Sequence, residues 1–139
     1  MYILDTNVIS KMMSPTPDKK VIRWIDELES EEIWTTSVSL YELQYGIEIL
    51  PEGKRRKELG IALEDTLLMS FRGNILVFDE GPAIQSAILS AKLRKLGRPV
   101  EVRDVMIGGI VAWHGATLVT RNEKHFVDTG INILNPWNE

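Results

Sequence analysis

The sequence predicts an α/β layered fold whose central sheet is mainly parallel and contains about five short strands. Two observations carry this expectation. Short apolar runs alternate with segments of helical periodicity along the 139 residues, and those runs are apolar at successive positions, as strands covered on both faces are. A third observation supports one domain over residues 1–139: no internal repeat, low-complexity tract or long linker breaks the alternation.

The elements follow in order. Tyr2 to Leu4 reads as a buried strand, and Asp5-Thr6-Asn7 offers N-cap chemistry for a short helix to about Met13. Ser14-Pro15-Thr16-Pro17 breaks the chain, and Asp18 can cap a helix with Val21, Trp24, Ile25 and Leu28 on one face. Ile33 to Thr36 is the second strand. A helix from about Ser39 places Leu40, Leu43, Ile47 and Leu50 on its inner stripe, and Pro51-Glu52-Gly53 ends it. The next helix, from Lys54 to Phe71, carries Leu59, Leu63, Leu67 and Leu68. Ile75 to Phe78 is the third strand. Pro82 stands near the start of a helix with Ile84, Ala87, Ile88 and Ala91 on one face, stopped by Gly97. Asp104 to about His114 is helical until Gly115. Thr117 to Val119 and Ile131 to Leu134 complete the strands.

Composition sets limits. A hydrophobic share of 44% against 26% charged residues is enough for one core and argues against disorder. The chain has no cysteine, which excludes a disulfide framework and a thiolate metal site. The N-terminus shows no basic region followed by a long apolar run, so no signal peptide is expected. The longest apolar stretch, Met106 to Trp113, is far too short to span a membrane. A cytoplasmic location is therefore expected. The net charge of −4 argues against a nucleic-acid partner at first sight. The distribution softens that: Lys92, Arg94, Lys95, Arg98, Arg103, Arg121 and Lys124 face only Glu101, Asp104 and Glu123 over residues 92–124, and Lys54 to Lys57 is a second basic run. The usual reading of such runs is a solvated helix face, which permits local phosphate contacts without requiring them.

Parallel sheets bind ligands beyond the carboxyl ends of their strands. Asp5 directly follows the first strand, Glu42 opens the helix after the second, Asp104 opens the helix before the fourth, and Thr120 and Asn122 follow the fourth. Each has a structural explanation. Asp5 and Asn122 can cap helical turns, Glu42 can reach back to Ser39 in a capping box, and Asp104 suits a helix N-terminus. Together they suggest more. Carboxylates gathered on one sheet edge repel one another and are costly to desolvate, and a divalent cation with oxygen ligands removes that cost. With His114 and His125 as the only histidines, a nitrogen and sulfur zinc cage is excluded.

At these residues the sequence resembles the PIN-domain family, and within it the VapC-type toxins of toxin–antitoxin pairs. YILDTNVIS is similar to the family's opening strand and first acid, TSVSLYELQYGI to its second motif, and RPVEVRDVMIGGIVAWHGATLVTRNEKHF to its third and fourth; INILNPW resembles a closing strand. The resemblance implies a three-layer α/β/α domain that hydrolyses RNA, tRNA or rRNA, through a metal-activated water. Asp5, Glu42 and Asp104 would be its catalytic acids and hold Mg²⁺ or Mn²⁺. Thr6, Thr120 and Asn122 would assist by supporting those acids or by holding a metal-bound water. The resemblance also implies a cognate antitoxin that blocks the acidic cleft, and a homodimer. Many members carry aspartate where Asn122 stands, so one well-held cation is expected rather than two, with Glu101 the nearest substitute acid. The alternative is a degenerate module that binds RNA or a partner without cutting.

Further residues have two readings each. Gly108 and Gly109 inside a helix point to close helix packing, and Gly46 lies on the same face as Glu42 one turn on. Arg103 and Arg121 flank the acids and either contact phosphates or are surface charges. His125 serves proton transfer or structure. Trp24, Trp34, Trp113 and Trp137 are expected to pack rather than stack on bases.

Overall fold

Five parallel strands form one sheet in the order β3-β2-β1-β4-β5: β1 (Tyr2–Leu4), β2 (Ile33–Thr36), β3 (Ile75–Leu76), β4 (Thr117–Val119) and β5 (Asn132–Leu134). This computed structural model describes residues 1–29 and 32–139. Among the described residues six α-helices lie in pairs between the first four strands: α1 (Thr6–Met13), α2 (Lys19–Asp26), α3 (Ser37–Glu48), α4 (Lys54–Met69), α5 (Glu80–Lys95) and α6 (Val102–His114). Short 3-10 turns cover Glu123–His125 and Pro136–Asn138. None of the described helices is long and apolar enough to cross a membrane.

Successive strand residues point to opposite faces, so the apolar runs feed two cores at once. Leu4, Ile33 and Val119 pack against Val8, Ile9, Val21, Leu43, Ile47, Leu63 and Phe71 on one side. Their neighbours Ile3 and Leu118 pack against Ile107, Ile110, Val111 and Phe126 on the other. The predicted three-layer sandwich is what results. Asp18 caps α2 as expected, accepting from the backbone N–H of Lys20 at 2.9 Å, and Gly115 ends α6 in the left-handed region at φ 60°.

Three expectations are corrected. The predicted stripe of α5 is its outer face: Ile84 and Ile88 are 54% and 60% exposed, and the inner face is Pro82, Ser86, Leu89 and Leu93. The reason is close approach. A Cβ on Gly109 would lie 2.7 Å from the carbonyl oxygen of Pro82, so at Pro82 and Ser86 α6 sits too near α5 for a larger side chain, while Leu89 and Leu93 pack further along the same face. Ser86 fits there and donates to the carbonyl of Val105 at 3.1 Å. Next, α3 begins at Ser37 with Thr36 as its N-cap, the Thr36 hydroxyl accepting from Ser39 N–H at 3.0 Å. Glu42 therefore lies in the second turn and makes no capping box with Ser39. Finally, α4 stops at Met69, leaving Phe71 buried in the loop beyond it and Leu68 72% exposed.

The strand order places the site. The chain leaves β1 towards β2 and β3, then returns to β4 on the opposite side of β1. The crevice beyond the carboxyl ends of β1 and β4 is the switch point where such sheets take ligands.

Candidate active site

Asp5 and Thr120 meet because their strands are in register. Leu4 pairs with Val119, and Asp5 N–H donates to the Val119 carbonyl at 2.9 Å, so the next residue of each strand faces the other. The Thr120 hydroxyl donates to Oδ2 of Asp5 at 2.8 Å, and both residues are buried. Asp5 is also the N-cap of α1, with Oδ1 accepting from Thr6 N–H at 2.8 Å. One oxygen of the carboxylate thus caps α1 while the other faces Thr120 at the end of β4.

Asn7, whose sequence position suggests only cap chemistry, ties this corner together. Its Nδ2 donates to Oδ2 of Asp5 and to the Thr120 hydroxyl, both at 3.2 Å, and its Oδ1 accepts from Arg121 N–H at 3.0 Å. A polar residue two positions after a strand-end acid carries no local signal for such a role. Asn122 donates its backbone N–H to the Thr120 hydroxyl at 3.0 Å, while its exposed side chain caps nothing.

Glu42 joins the corner through Thr6, whose hydroxyl donates to Oε1 at 2.9 Å. Its other oxygen lies 3.8 Å from Nη1 of Arg103. Arg103 is held in turn by Glu101, which caps α6 and accepts from the Arg103 N–H and from Nε, at 3.1 and 3.0 Å. Asp104 stands in the first turn of α6, and its Oδ2 is 2.8 Å from Nδ1 of His125. Arg121 lies over the Trp137 ring, 4.9 Å from its centroid, a cation–π contact.

The three acids sense one another. Burial pushes the Asp5 carboxyl up, against hydrogen bonds from Thr120, Thr6 and Asn7, and the charge of Asp104 adds to the rise. Burial likewise raises Glu42, opposed by Thr6 and reinforced by Asp5. Asp104 is raised by burial despite His125, with Glu101 and Glu42 adding repulsion. Carboxyls held above their ordinary range by burial and mutual charge, beside a crevice, make this corner a candidate functional site. Among the described residues no three acidic or histidine side chains are drawn into a ready-made cation cage; His125 holds Asp104, and Thr6 and Arg103 hold Glu42.

The strand order, the switch-point crevice and the acids define the class. Residues 2–132 match the model of the PIN domain, and the chain belongs to that family. The resemblance seen in the motifs is borne out. The toxin FitB of Neisseria gonorrhoeae is 32% identical over 139 residues, covering 100% of both chains. The VapC ribonuclease Y4jK of Sinorhizobium fredii is 34% identical over 137 residues, 99% of this chain and 98% of that protein. The crystal structure of FitAcB from N. gonorrhoeae superposes with a TM-score of 0.91 at 32% identity, covering 100% of each chain.

Proposed function

We propose that this chain is a metal-dependent endoribonuclease of the VapC toxin type, with Asp5, Glu42 and Asp104 as its catalytic acids and a cognate antitoxin as its inhibitor. The observation that supports the reading is that Thr6 joins Asp5, at the end of β1, to Glu42 of α3 beside the switch-point crevice, with Asp104 of α6 near enough for its charge to raise Asp5. The names of relatives support it: Y4jK is called a VapC ribonuclease and FitB a toxin.

The donor set fits Mg²⁺ or Mn²⁺. All three acids offer hard oxygen, and Mg²⁺ is commonly held by one or two carboxylates, waters and substrate phosphate rather than by an all-protein cage. Three carboxylates without a tight cage match that habit. Bound there, the cation would supply a nucleophilic water at neutral pH and offset charge on the phosphodiester. The chain's own residues do the rest. Thr120, Thr6 and Asn7 fix the Asp5 carboxylate, Thr6 orients Glu42, and His125 holds Asp104. Neutral Asn122 at the fourth position favours one cation. Arg103 stands beside Glu42 to meet phosphate. We read the protein as a homodimer that meets its RNA, tRNA or rRNA, without its antitoxin.

Expression without a partner followed by sequencing of RNA ends tests the reading. Growth arrest with new ends at defined sites is expected, and Asp5→Ala should give neither. Purified protein that binds RNA but leaves it uncut with Mg²⁺ and with Mn²⁺ would show a degenerate binding module instead.

A further inference from the structure

A cavity of about 370 Å³ lies beside the acids, between the loop that follows α5 and the turn that follows β4. Asp104 and His125 form its wall towards the site. Leu93, Pro99, Val100 and Val127 give it apolar surface. Arg98 and Asp128 form an ion pair at 2.7 Å that ties the two loops together. The remaining charges are nearly all matched: Glu101 is paired with Arg103 and Asp104 with His125. Among the described residues, Lys124 is the one charge lining this cavity without a hydrogen bond or ion pair.

We propose that this cavity is a nucleotide subsite that takes one unstacked base of the RNA next to the scissile phosphate, with Lys124 on that nucleotide's phosphate. The inference rests on the ribonuclease reading and adds a source of sequence preference to it. The size falls in the range of pockets that enclose small ligands. Apolar surface with polar edges suits a base, and sequence-specific RNA recognition works on splayed, unstacked bases. An acidic site cuts next to where it holds phosphate, so a cavity sharing the wall of Asp104 can reach only a neighbouring nucleotide. A cation with no internal partner positions the backbone without reading sequence.

The variants are Val100→Trp, which fills the cavity, and Lys124→Ala, at an exposed position. The substrates are a short labelled single-stranded RNA of randomised sequence and bis(p-nitrophenyl) phosphate, which has no base. Wild type should show a base preference at one position flanking the break. Val100→Trp should flatten it roughly tenfold, within the worth of one stacked base, and raise KM for RNA, while hydrolysis of the baseless diester stays at the wild-type rate. In an Asp5→Asn background, Lys124→Ala should lower the slope of log affinity for RNA against log salt by about one. A folded Val100→Trp protein with unchanged preference and KM overturns the subsite. Should that variant fail to fold, an unchanged salt slope for Lys124→Ala overturns it. The two readings separate cleanly. Loss of RNA cleavage in wild type, with binding still weakened by Val100→Trp, removes the ribonuclease reading and keeps the subsite. Cleavage that ignores the filled cavity does the reverse.

Discussion

The Thr120 hydroxyl donates to Oδ2 of Asp5 across 2.8 Å, a bond between residues 115 apart in sequence that closes the corner between β4 and β1. Thr120→Val keeps the shape and removes the donor. Leaving a buried acceptor short of a partner costs about 1–3 kcal/mol. Thr120 also lowers a carboxyl that burial raises, so its loss lifts Asp5 further. A carboxyl with a raised folded pKa favours folding at low pH and loses that contribution as pH rises through the folded value. Urea denaturation should therefore show a cost for Thr120→Val that is larger at neutral pH than in acid.

The same sign governs the metal-free protein. Asp5, Glu42 and Asp104 are all raised, so their ionisation penalises the folded state as pH climbs beyond the ordinary carboxylate range. In chelator, thermal stability should rise at neutral pH on Glu42→Gln or Asp104→Asn. Melting curves in which either variant is less stable than wild type at neutral pH, yet equal to it in acid, would contradict the electrostatic account.

A divalent cation should reverse that penalty. Ligand at about a hundred times its Kd adds about 2.7 kcal/mol to the bound state. Mg²⁺ or Mn²⁺ should raise the melting temperature of wild type, and Asp104→Asn should lose most of that increment. Equal stabilisation of both proteins would place the cation elsewhere.

RNA cleavage should respond to charge rather than shape. Asp5→Asn and Asp104→Asn preserve size and should abolish cutting with circular dichroism unchanged, whereas Asn122→Ala should be far milder because its exposed side chain caps nothing. Activity retained in either acid variant would remove that residue from the site.

Two glycines should behave in opposite ways. A Cβ at Gly109 would meet Ser86 Oγ and, at 2.7 Å, the Pro82 carbonyl oxygen. Gly109→Ala must part α5 from α6 and should cost about 1–3 kcal/mol, as overpacking does. Gly60, inside α4, has nothing within 4 Å of an added Cβ, so Gly60→Ala should gain about 1 kcal/mol from helix propensity. Chemical denaturation of the two variants reads the contrast directly.

The sheet and the acids at its edge were legible because each depends on local pattern: apolar runs mark strands, and strand ends mark the crevice. Asp5 and Thr120 needed only the register of β1 on β4 to meet. The buried face of α5 was not legible. Its contact with α6 combines Leu89 and Leu93 with Pro82 and Ser86, the last two set closely against Gly109, so the face carrying Ile84 and Ile88 is left to solvent and hydrophobicity misleads. Glu42 looked like half of a capping box, yet the cap fell to Thr36, whose hydroxyl sits at the end of β2. The roles of Asn7 and His125 depend on partners, Thr120 and Asp104, that only the folded chain brings within reach.

The order β3-β2-β1-β4-β5 has a consequence for timing. The middle strand is made first, and its neighbour β4 is made after β2 and β3. A ribosome has therefore released most of the protein before Asp5 gains its Thr120 partner or α6 brings Asp104 into place. A chain that ends before β4 lacks Thr120, and with it the hydroxyl that holds Oδ2 of Asp5, so it is expected to carry no assembled site.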